Sequence, residues 1–164
     1  MAIQLHYRKQ KKVDSMDKQN QIFSYVEPEE NSGYLLWQVT MQWQLSMNRA
    51  LGKMGLTLTQ FSLMAGLYWL SRKEKTVTQQ QLADYANTDK MMTSKVLMAL
   101  EKKQIIKRVK DPVDSRAKQL RITSKGTQIL KEAYHIVEQV DAVFFKNVIK
   151  DKATFDHLLM RLIK

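Results

Sequence analysis

The sequence has 164 residues and contains no cysteine, two prolines and five glycines. Without cysteine the chain can form neither a disulfide framework nor a thiolate metal site, and thiol redox sensing is excluded. The five glycines are isolated, so no glycine-rich phosphate loop is present. We therefore expect a protein of a reducing compartment that carries no cofactor and no bound metal.

Long apolar runs are also missing. No stretch of roughly 18 apolar residues could span a membrane, and the polar N-terminus lacks the apolar segment of a signal peptide. The three histidines, His6, His135 and His157, are scattered and have no carboxylate or thiol at catalytic spacing. We therefore expect a cytoplasmic protein that has no membrane partner and is not an enzyme.

Acidic residues are scarce in the middle of the chain. Residues 33–71 contain Arg49 and Lys53 and no acid, and residues 72–125 contain fourteen basic and six acidic side chains. Most of the formal net charge of +11 therefore lies in about a third of the chain. A localised basic surface favours a polyanionic partner, although basic residues can also serve solubility alone.

Apolar residues at three- and four-residue spacing predict helices before and after this basic region. The first extends from about residue 34 and is ended by Gly55. The next, with Thr59 as its N-cap, is apolar on nearly every side and is predicted to be buried. A long helix starts at Ser124, and a short one completes the chain. The terminal helices carry more apolar surface than a domain of this size can cover, which predicts a subunit interface.

A helix-turn-helix is predicted inside the basic region. Thr78 caps a helix ending at Tyr85, and a second helix runs from about residue 89 to residue 103. The predicted inner stripe of that second helix is Met92, Val96, Ala99 and Leu100. Two strand-like runs, at residues 105–110 and 118–123, surround a turn-forming segment. A helix-turn-helix followed by a basic hairpin is a winged helix.

These segments resemble the MarR family (multiple antibiotic resistance regulators). The resemblance is carried by TDKMMTSKV at residues 88–96, LEKK at 100–103, DPVDSR at 111–116 and LRITSKG at 120–126, and the helix order extends it to residues 34–164. One departure is Gln104, where the family commonly has the glycine that closes the recognition helix. Glutamine costs little there if its φ is negative, and about 1 kcal/mol if φ is positive.

The resemblance implies a mainly α protein with a small β-hairpin wing. Residues 33–164 would form the MarR-like domain, after an N-terminal extension at residues 1–32. Within that domain, residues 56–123 would form the DNA-binding winged helix-turn-helix, and residues 34–54 and 124–164 the dimerisation helices. The family places two winged domains of a homodimer on one operator. A twofold dimer reads half-sites about one helical turn apart.

The second helix of the helix-turn-helix is expected to read the major groove. Its candidates for base edges and nearby phosphates are Lys90, Met91, Thr93, Ser94 and Lys95. Lys95 can donate to guanine, and Met91 and the Thr93 methyl can contact thymine methyls. For Met91 and Thr93 the alternative is packing inside the domain.

The wing supplies the remaining candidates. Arg116 matches the arginine that the family inserts into the minor groove, where negative potential is concentrated, and Asp114 resembles the aspartate that orients it. Phosphate contacts are expected from Arg108, Lys110 and Lys118, and from the donors of Thr78 at a helix start. A solvated hairpin face is the alternative for any single one of them.

The family often binds a small aromatic or lipophilic effector between the dimerisation helices and the DNA-binding domain. In this chain such a pocket would use Trp37, Met41, Trp43, Tyr68 and Trp69, for which ordinary core or dimer packing is the alternative. A bound effector would shift the spacing of the two recognition helices.

The sequence thus predicts a regulator of transcription that binds double-stranded DNA. We expect a repressor, although these residues do not distinguish repression from activation. The alternative is a winged-helix module that binds an acidic protein. The arginine-tipped wing beside a basic helix favours DNA, since it suits two adjacent grooves.

Overall fold

The computed structural model describes residue 22 and residues 27–74, 76–110 and 118–163, except for the side chain of Lys118. The described elements are helices α1 (Ser32–Gly52), α2 (Leu58–Leu70), α3 (Gln79–Tyr85) and α4 (Lys90–Lys102), strands β1 (Ile106–Lys110) and β2 (Lys118–Ile122), and helices α5 (Ser124–Phe144) and α6 (Lys152–Ile163). Short 3₁₀ helices occupy Pro28–Glu30 and Lys146–Asp151. The predicted fold class, mainly α with a β-hairpin wing, is confirmed.

The contacts divide the chain into two units, residues 1–42 and 43–164, and the boundary falls inside α1. In the first unit the side-chain oxygen of Asn31 accepts the backbone N–H of Tyr34 at 2.8 Å, at the start of α1. The large apolar side chains of this part of α1 are exposed; they are Leu35, Leu36, Trp37, Val39 and Met41. The predicted division of the chain after residue 32 stays a prediction.

Helix α2 is central to the core of the second unit. Its side chains Phe61, Leu63, Met64 and Leu67 are buried, as predicted for this helix. They belong to one cluster with buried leucines of the neighbouring elements, namely Leu51, Leu82, Leu97, Leu100, Leu120 and Leu130. Removing a buried leucine from such a cluster typically costs about 2–5 kcal/mol. The core therefore holds the helix-turn-helix, the hairpin and α5 together.

The N-cap predicted for α2 at Thr59 is wrong, because Thr57 caps this helix. The Thr57 hydroxyl accepts the backbone N–H of Gln60 at 3.2 Å, and the Gln60 side chain accepts the backbone N–H of Thr57 at 3.1 Å. This capping box satisfies two donors at once. Thr59 has no Glu or Gln three residues later and lies in the first turn.

A glycine in the left-handed backbone conformation closes the turn between α1 and α2. Gly55 has φ 68°. Its N–H donates to the carbonyl of Gly52, and the next N–H, of Leu56, donates to the carbonyl of Leu51. This pair of bonds satisfies carbonyls that the end of α1 would leave unpaired. Gly55 thus ends the helical region as predicted, although α1 itself ends three residues earlier, at Gly52.

The predicted helix-turn-helix is formed by α3 and α4. Thr78 caps α3, as predicted, and Asp89 caps α4 by accepting the backbone N–H groups of Met91 and Met92, each at 2.9 Å. The connection turns at Asn87, whose φ is 48°. Asparagine tolerates that conformation better than most residues.

The wing begins with an antiparallel pair, β1 and β2, in which Ile106 lies opposite Ile122 and Lys110 opposite Lys118. On the other side of β2, Thr78 forms a bridge with Gln119, and the Leu120 N–H donates to the Val77 carbonyl at 2.7 Å. The base of the hairpin is therefore hydrogen-bonded along both edges of β2.

Helix α5 starts at Ser124, as predicted, with Thr123 as its N-cap. The Thr123 hydroxyl accepts the Gly126 N–H at 2.9 Å and lies 2.8 Å from the carbonyl oxygen of Gln104. Lys125 donates to the carbonyl of Lys103 at 2.9 Å. A Cβ at Gly126 would lie 2.1 Å from the carbonyl oxygen of Ile105, so only glycine fits there. The TSKG segment thus fastens the start of α5 to the end of α4.

The chain after α5 is largely exposed. After α5, which ends at Phe144, Val148 lies in the 3₁₀ helix Lys146–Asp151. Helix α6 has no buried residue, and its apolar side chains Leu158, Met160, Leu162 and Ile163 face solvent. Among the residues described, no helix is both long and apolar enough to cross a bilayer.

Candidate nucleic-acid interface

Helix α4 has one buried face and one exposed face. Thr93, Leu97 and Leu100 are buried. The exposed side carries the cations and methionines; its members include Lys90, Met91, Lys95, Met98 and Lys102. Met91 is 70% exposed, although it is a large apolar residue. This face can present positive charge and apolar surface to a ligand at the same time.

The predicted inner stripe of α4 is largely wrong. Of Met92, Val96, Ala99 and Leu100, only Leu100 is buried, whereas Met92 and Ala99 are exposed and Val96 is half-buried. The buried face is turned by one residue, about 100°, and includes Thr93. Its hydroxyl lies 2.8 Å from both the Asp89 carbonyl and the Thr88 hydroxyl. A polar residue can be buried when its hydrogen bonds are satisfied in this way.

Thr93 was predicted to reach a base edge, and its position corrects that prediction. The residue is 0% exposed, so its methyl cannot meet a thymine methyl. Ser94, its neighbour, is half-buried, and Lys95 is exposed. The outward face of α4 therefore contains four of the five predicted readers: Lys90, Met91, Ser94 and Lys95.

Thr78 was predicted to donate to a phosphate, but both of its donors are used inside α3. Its backbone N–H lies 2.8 Å and its hydroxyl 2.9 Å from Oε1 of Gln81. These bonds belong to a second capping box, like that of α2. The prediction for Thr78 is therefore corrected: its donors bind Gln81.

The described part of the wing contains two kinds of cation. Lys110 is exposed, and Lys118 lies opposite it in the last pair of the two strands before residues 111–117. Arg108 is half-buried and is paired with Glu101 of α4. Asp114 and Arg116 belong to residues 111–117, which lie outside the described residues.

Two sequence comparisons bear on this arrangement. The model of the MarR family matches residues 56–118. The uncharacterized HTH-type transcriptional regulator YdcH of Bacillus subtilis is 39% identical over 137 residues, which are 84% of this chain and 92% of that relative. The chain belongs to the MarR family. It is therefore a MarR-family helix-turn-helix transcriptional regulator.

Solved structures of MarR-family and related regulators have the same fold. A mutant MarR of E. coli, complexed with operator DNA, has a TM-score of 0.73 at 21% identity, over 80% of this chain and 93% of that chain. CouR of Rhodococcus jostii, bound to p-coumaroyl-CoA, has a TM-score of 0.72 at 20% identity, over 85% of this chain and 95% of that chain. At such identities the likeness establishes the fold.

The residues predicted to bind an effector fall into both units of this MarR-family chain. Trp37 and Met41 are exposed in the first unit. In the second unit Trp43 donates to Oδ1 of Asp141 at 2.8 Å, and Tyr68 and Trp69 are exposed. The second unit contains a groove of about 440 Å³, and none of the predicted effector residues lines it. Its lining residues are Ser46, Ala50, Lys53, Ile136, Gln139, Val140, Val143 and Phe144.

Two cations of the wing were not among the residues predicted to bind DNA. Lys107 and Arg121 are exposed and lie opposite each other on β1 and β2. The sequence contained a signal for Arg121. Apolar and polar residues alternate in this strand, so a residue between the inward-pointing Leu120 and Ile122 is expected to be exposed. Lys110 lies three positions further along β1 and therefore on the opposite face of the hairpin. The described part of the hairpin is thus basic on both faces.

Proposed function

We propose that this protein binds duplex DNA sequence-specifically as a homodimer on a pseudo-palindromic operator and represses transcription. One observation carries the proposal. Helix α4 exposes Lys90, Met91 and Lys95, while its opposite face is anchored in the core beside a hairpin with a basic surface. A rigid helix with exposed donors fits the major groove.

The exposed residues of α4 can divide the work of reading. Residues near the N-terminus of a recognition helix contact base edges. There Lys95 can donate to guanine, Met91 can contact a thymine methyl, and Ser94 can accept or donate. Lys90, at the first position of the helix, is suited to a phosphate.

The wing would hold the protein on the neighbouring backbone and minor groove. Lys110 and Lys118 are candidates for phosphate contacts, with Lys107 and Arg121 as further candidates. The roles of Arg116 in the minor groove and of Asp114 beside it follow from the resemblance of the DPVDSR segment to the family's wing.

Dimerisation is supported by the exposed apolar residues of the second unit. Val143, Ile149, Leu158, Leu162 and Ile163 are all at least half exposed. A monomer rarely leaves so many large apolar side chains in water. Two copies related by a twofold axis would cover them and would bring two α4 helices to one operator.

Control by a small aromatic or lipophilic effector stays a prediction. It is supported by the fold shared with CouR, which binds p-coumaroyl-CoA. Calorimetric titration with a panel of aromatic acids and acyl thioesters would test it, and a flat titration for the whole panel would count against it.

The function can be tested by selecting binders from a pool of random duplexes. The best duplex is then titrated at several salt concentrations with the wild type and with Lys95→Gln, Arg116→Ala and Lys131→Gln variants. Lys131 is an exposed lysine of α5 and is the matched control for Lys95. We expect a pseudo-palindromic site and steep salt dependence. Lys95→Gln should weaken binding by about 1–3 kcal/mol, Arg116→Ala should also weaken it, and Lys131→Gln should leave it unchanged.

Absence of an enriched sequence would contradict the proposal. Binding would then remain in the non-specific range of roughly 10⁻⁴–10⁻⁶ M at physiological salt. In that case the basic face would be assigned to an acidic protein partner, the alternative that the sequence leaves open.

A further inference from the structure

One acidic residue lies on the recognition helix and is directed at the wing. Oε2 of Glu101, in α4, is 2.5 Å from Nη1 of Arg108 in β1. Oε1 of Glu101 is 3.3 Å from the backbone nitrogen of Arg108. The carboxylate therefore holds both the side chain and the main chain of the same residue, so it determines the position of the strand as well as that of the guanidinium.

Arg108 also contacts the first helix of the helix-turn-helix. Its Nη2 lies 3.4 Å from Oε1 of Gln79 in α3. Arg108 thus links α3, α4 and β1, and it lies opposite Leu120 of β2. Leu120 in turn donates its N–H to the carbonyl of Val77, the residue before the N-cap of α3, so the hairpin is fastened on both sides.

The Arg108–Glu101 pair is less exposed to solvent than an ordinary surface ion pair. The side chain of Arg108 is 18% exposed and that of Glu101 is 38% exposed. An arginine that meets a phosphate is expected to be exposed in the free protein, as Lys107, Lys110 and Arg121 of the hairpin are. Arg108 presents little of its side chain, and its donors point at Glu101 and Gln79.

The negative charge of Glu101 also indicates a structural role for this residue. A carboxylate near a DNA-binding surface opposes the binding of a polyanion. Its presence among the cations of α4 and β1 is therefore unfavourable for DNA binding unless it has a structural task. Holding parts of a site in their bound arrangement reduces the ordering cost of binding.

We propose that Glu101 is a positioning residue, which fixes the wing to the recognition helix through Arg108 so that both reach adjacent grooves of one site. Arg108 then belongs to the frame of the site and does not contact a phosphate, contrary to the expectation from the sequence. The inference rests on the proposed function and deepens it.

The first test compares Glu101→Gln with Asp84→Asn on the selected duplex at several salt concentrations. Asp84 is an exposed carboxylate of α3 with a hydrogen bond to Gln80, and its replacement also removes one negative charge. Charge removal alone strengthens DNA binding in both variants. Positioning predicts the opposite for Glu101→Gln: a loss of roughly tenfold in affinity, in the range of coupled network residues, with the salt slope unchanged.

Arg108 is tested in the same assay with Arg108→Gln and the double variant. Positioning predicts that both single variants and the double variant lose similar affinity, because they break one link, and that the salt slope stays constant. A phosphate contact predicts a salt slope reduced by about 1 for Arg108→Gln, together with normal or stronger binding by Glu101→Gln. That pair of results would overturn the proposal.

A second measurement needs no DNA. In the free protein, hydrogen exchange of the β1 and β2 amides should be faster in Glu101→Gln than in the wild type, while the amides of α2 stay protected and the melting temperature changes little. Unchanged hairpin exchange would also overturn the proposal. If the wild type selects no operator but Glu101→Gln loosens the hairpin, the proposed function fails and the positioning of the wing by Glu101 stands.

Discussion

Individual residues at the ends of helices determine how the winged domain turns. Gly55, Asn87 and Gln104 have φ angles of 68°, 48° and 60°. After α4, the Gln104 N–H donates to the Glu101 carbonyl at 2.8 Å and the Ile105 N–H to the Leu100 carbonyl at 3.0 Å. These two bonds are those of a Schellman motif, whose left-handed position is normally glycine. Gln104 therefore carries backbone strain that Gly55 does not.

Replacing this residue gives a stability prediction. Gln104→Gly should raise the free energy of unfolding by about 1 kcal/mol, because glycine adopts positive φ without a Cβ clash. The gain corresponds to roughly 2–4 °C in melting temperature for a protein of this size. Urea and thermal denaturation measure it. Gln104→Ala is the control, since alanine keeps the Cβ and removes only an exposed side chain; equal stability of the two variants would contradict the account.

The recognition helix shows how an element determines which of its residues can read DNA. Its buried face consists of Leu97, Leu100 and Thr93, whose hydroxyl donates to the carbonyl of Asp89. The apolar pattern predicted that Met92 is buried and that Thr93 is exposed. In the structure Met92 is exposed and Thr93 is buried. The length of α4 and its cap follow from local chemistry, whereas its rotation follows from the packing against the core.

The exposure of Met91 leads to a prediction about the operator. If its side chain covers a thymine methyl, deoxyuridine in place of that thymine should weaken wild-type binding by about 0.8 kcal/mol, the value of one buried CH₂ group. Met91→Ala should bind more weakly than the wild type and be insensitive to deoxyuridine. Fluorescence anisotropy with single-substituted duplexes measures both effects.

Met98 is the matched control for this experiment. It is also exposed and lies two turns further along α4, away from the N-terminal residues that usually meet base edges. Met98→Ala should keep the full sensitivity to deoxyuridine. If Met91→Ala keeps it as well, the thymine methyls are read by another residue.

At the scale of the whole molecule, the exposed apolar residues of the second unit support the proposed dimer. Leu162 is 74% exposed on α6, a helix without a buried residue. We expect sedimentation velocity to give twice the 19.2 kDa mass of one chain. Leu162→Glu should shift the protein to the monomer and lower operator affinity at least tenfold, because a charged residue in a subunit interface is costly and one half-site binds weakly.

The control for that variant is Lys131→Glu, which changes the charge at an exposed polar position of α5. Circular dichroism should show both variants folded, since neither position contributes to the core. A wild type that sediments as a monomer at micromolar concentration, or a Leu162→Glu variant that remains dimeric, would contradict the assignment of this surface.

Local chemistry in the sequence determined the order of helices and strands and the family. The cap at Thr78 and the TSKG segment act over a few residues, and their effect can be read without knowing the fold. The basic region was recognised for the same reason, since charge is a property of composition.

Tertiary structure alone decided which side chains of that region are available. Thr93 is buried, and Arg108 is held by Glu101. Glu101 and Arg108 are seven positions apart and belong to different elements. A spacing of seven residues does not by itself predict that two side chains form an ion pair. Side-chain availability depends on the packing of α3, α4 and the hairpin on one core, and this packing is a sum of contacts between segments that are distant in sequence.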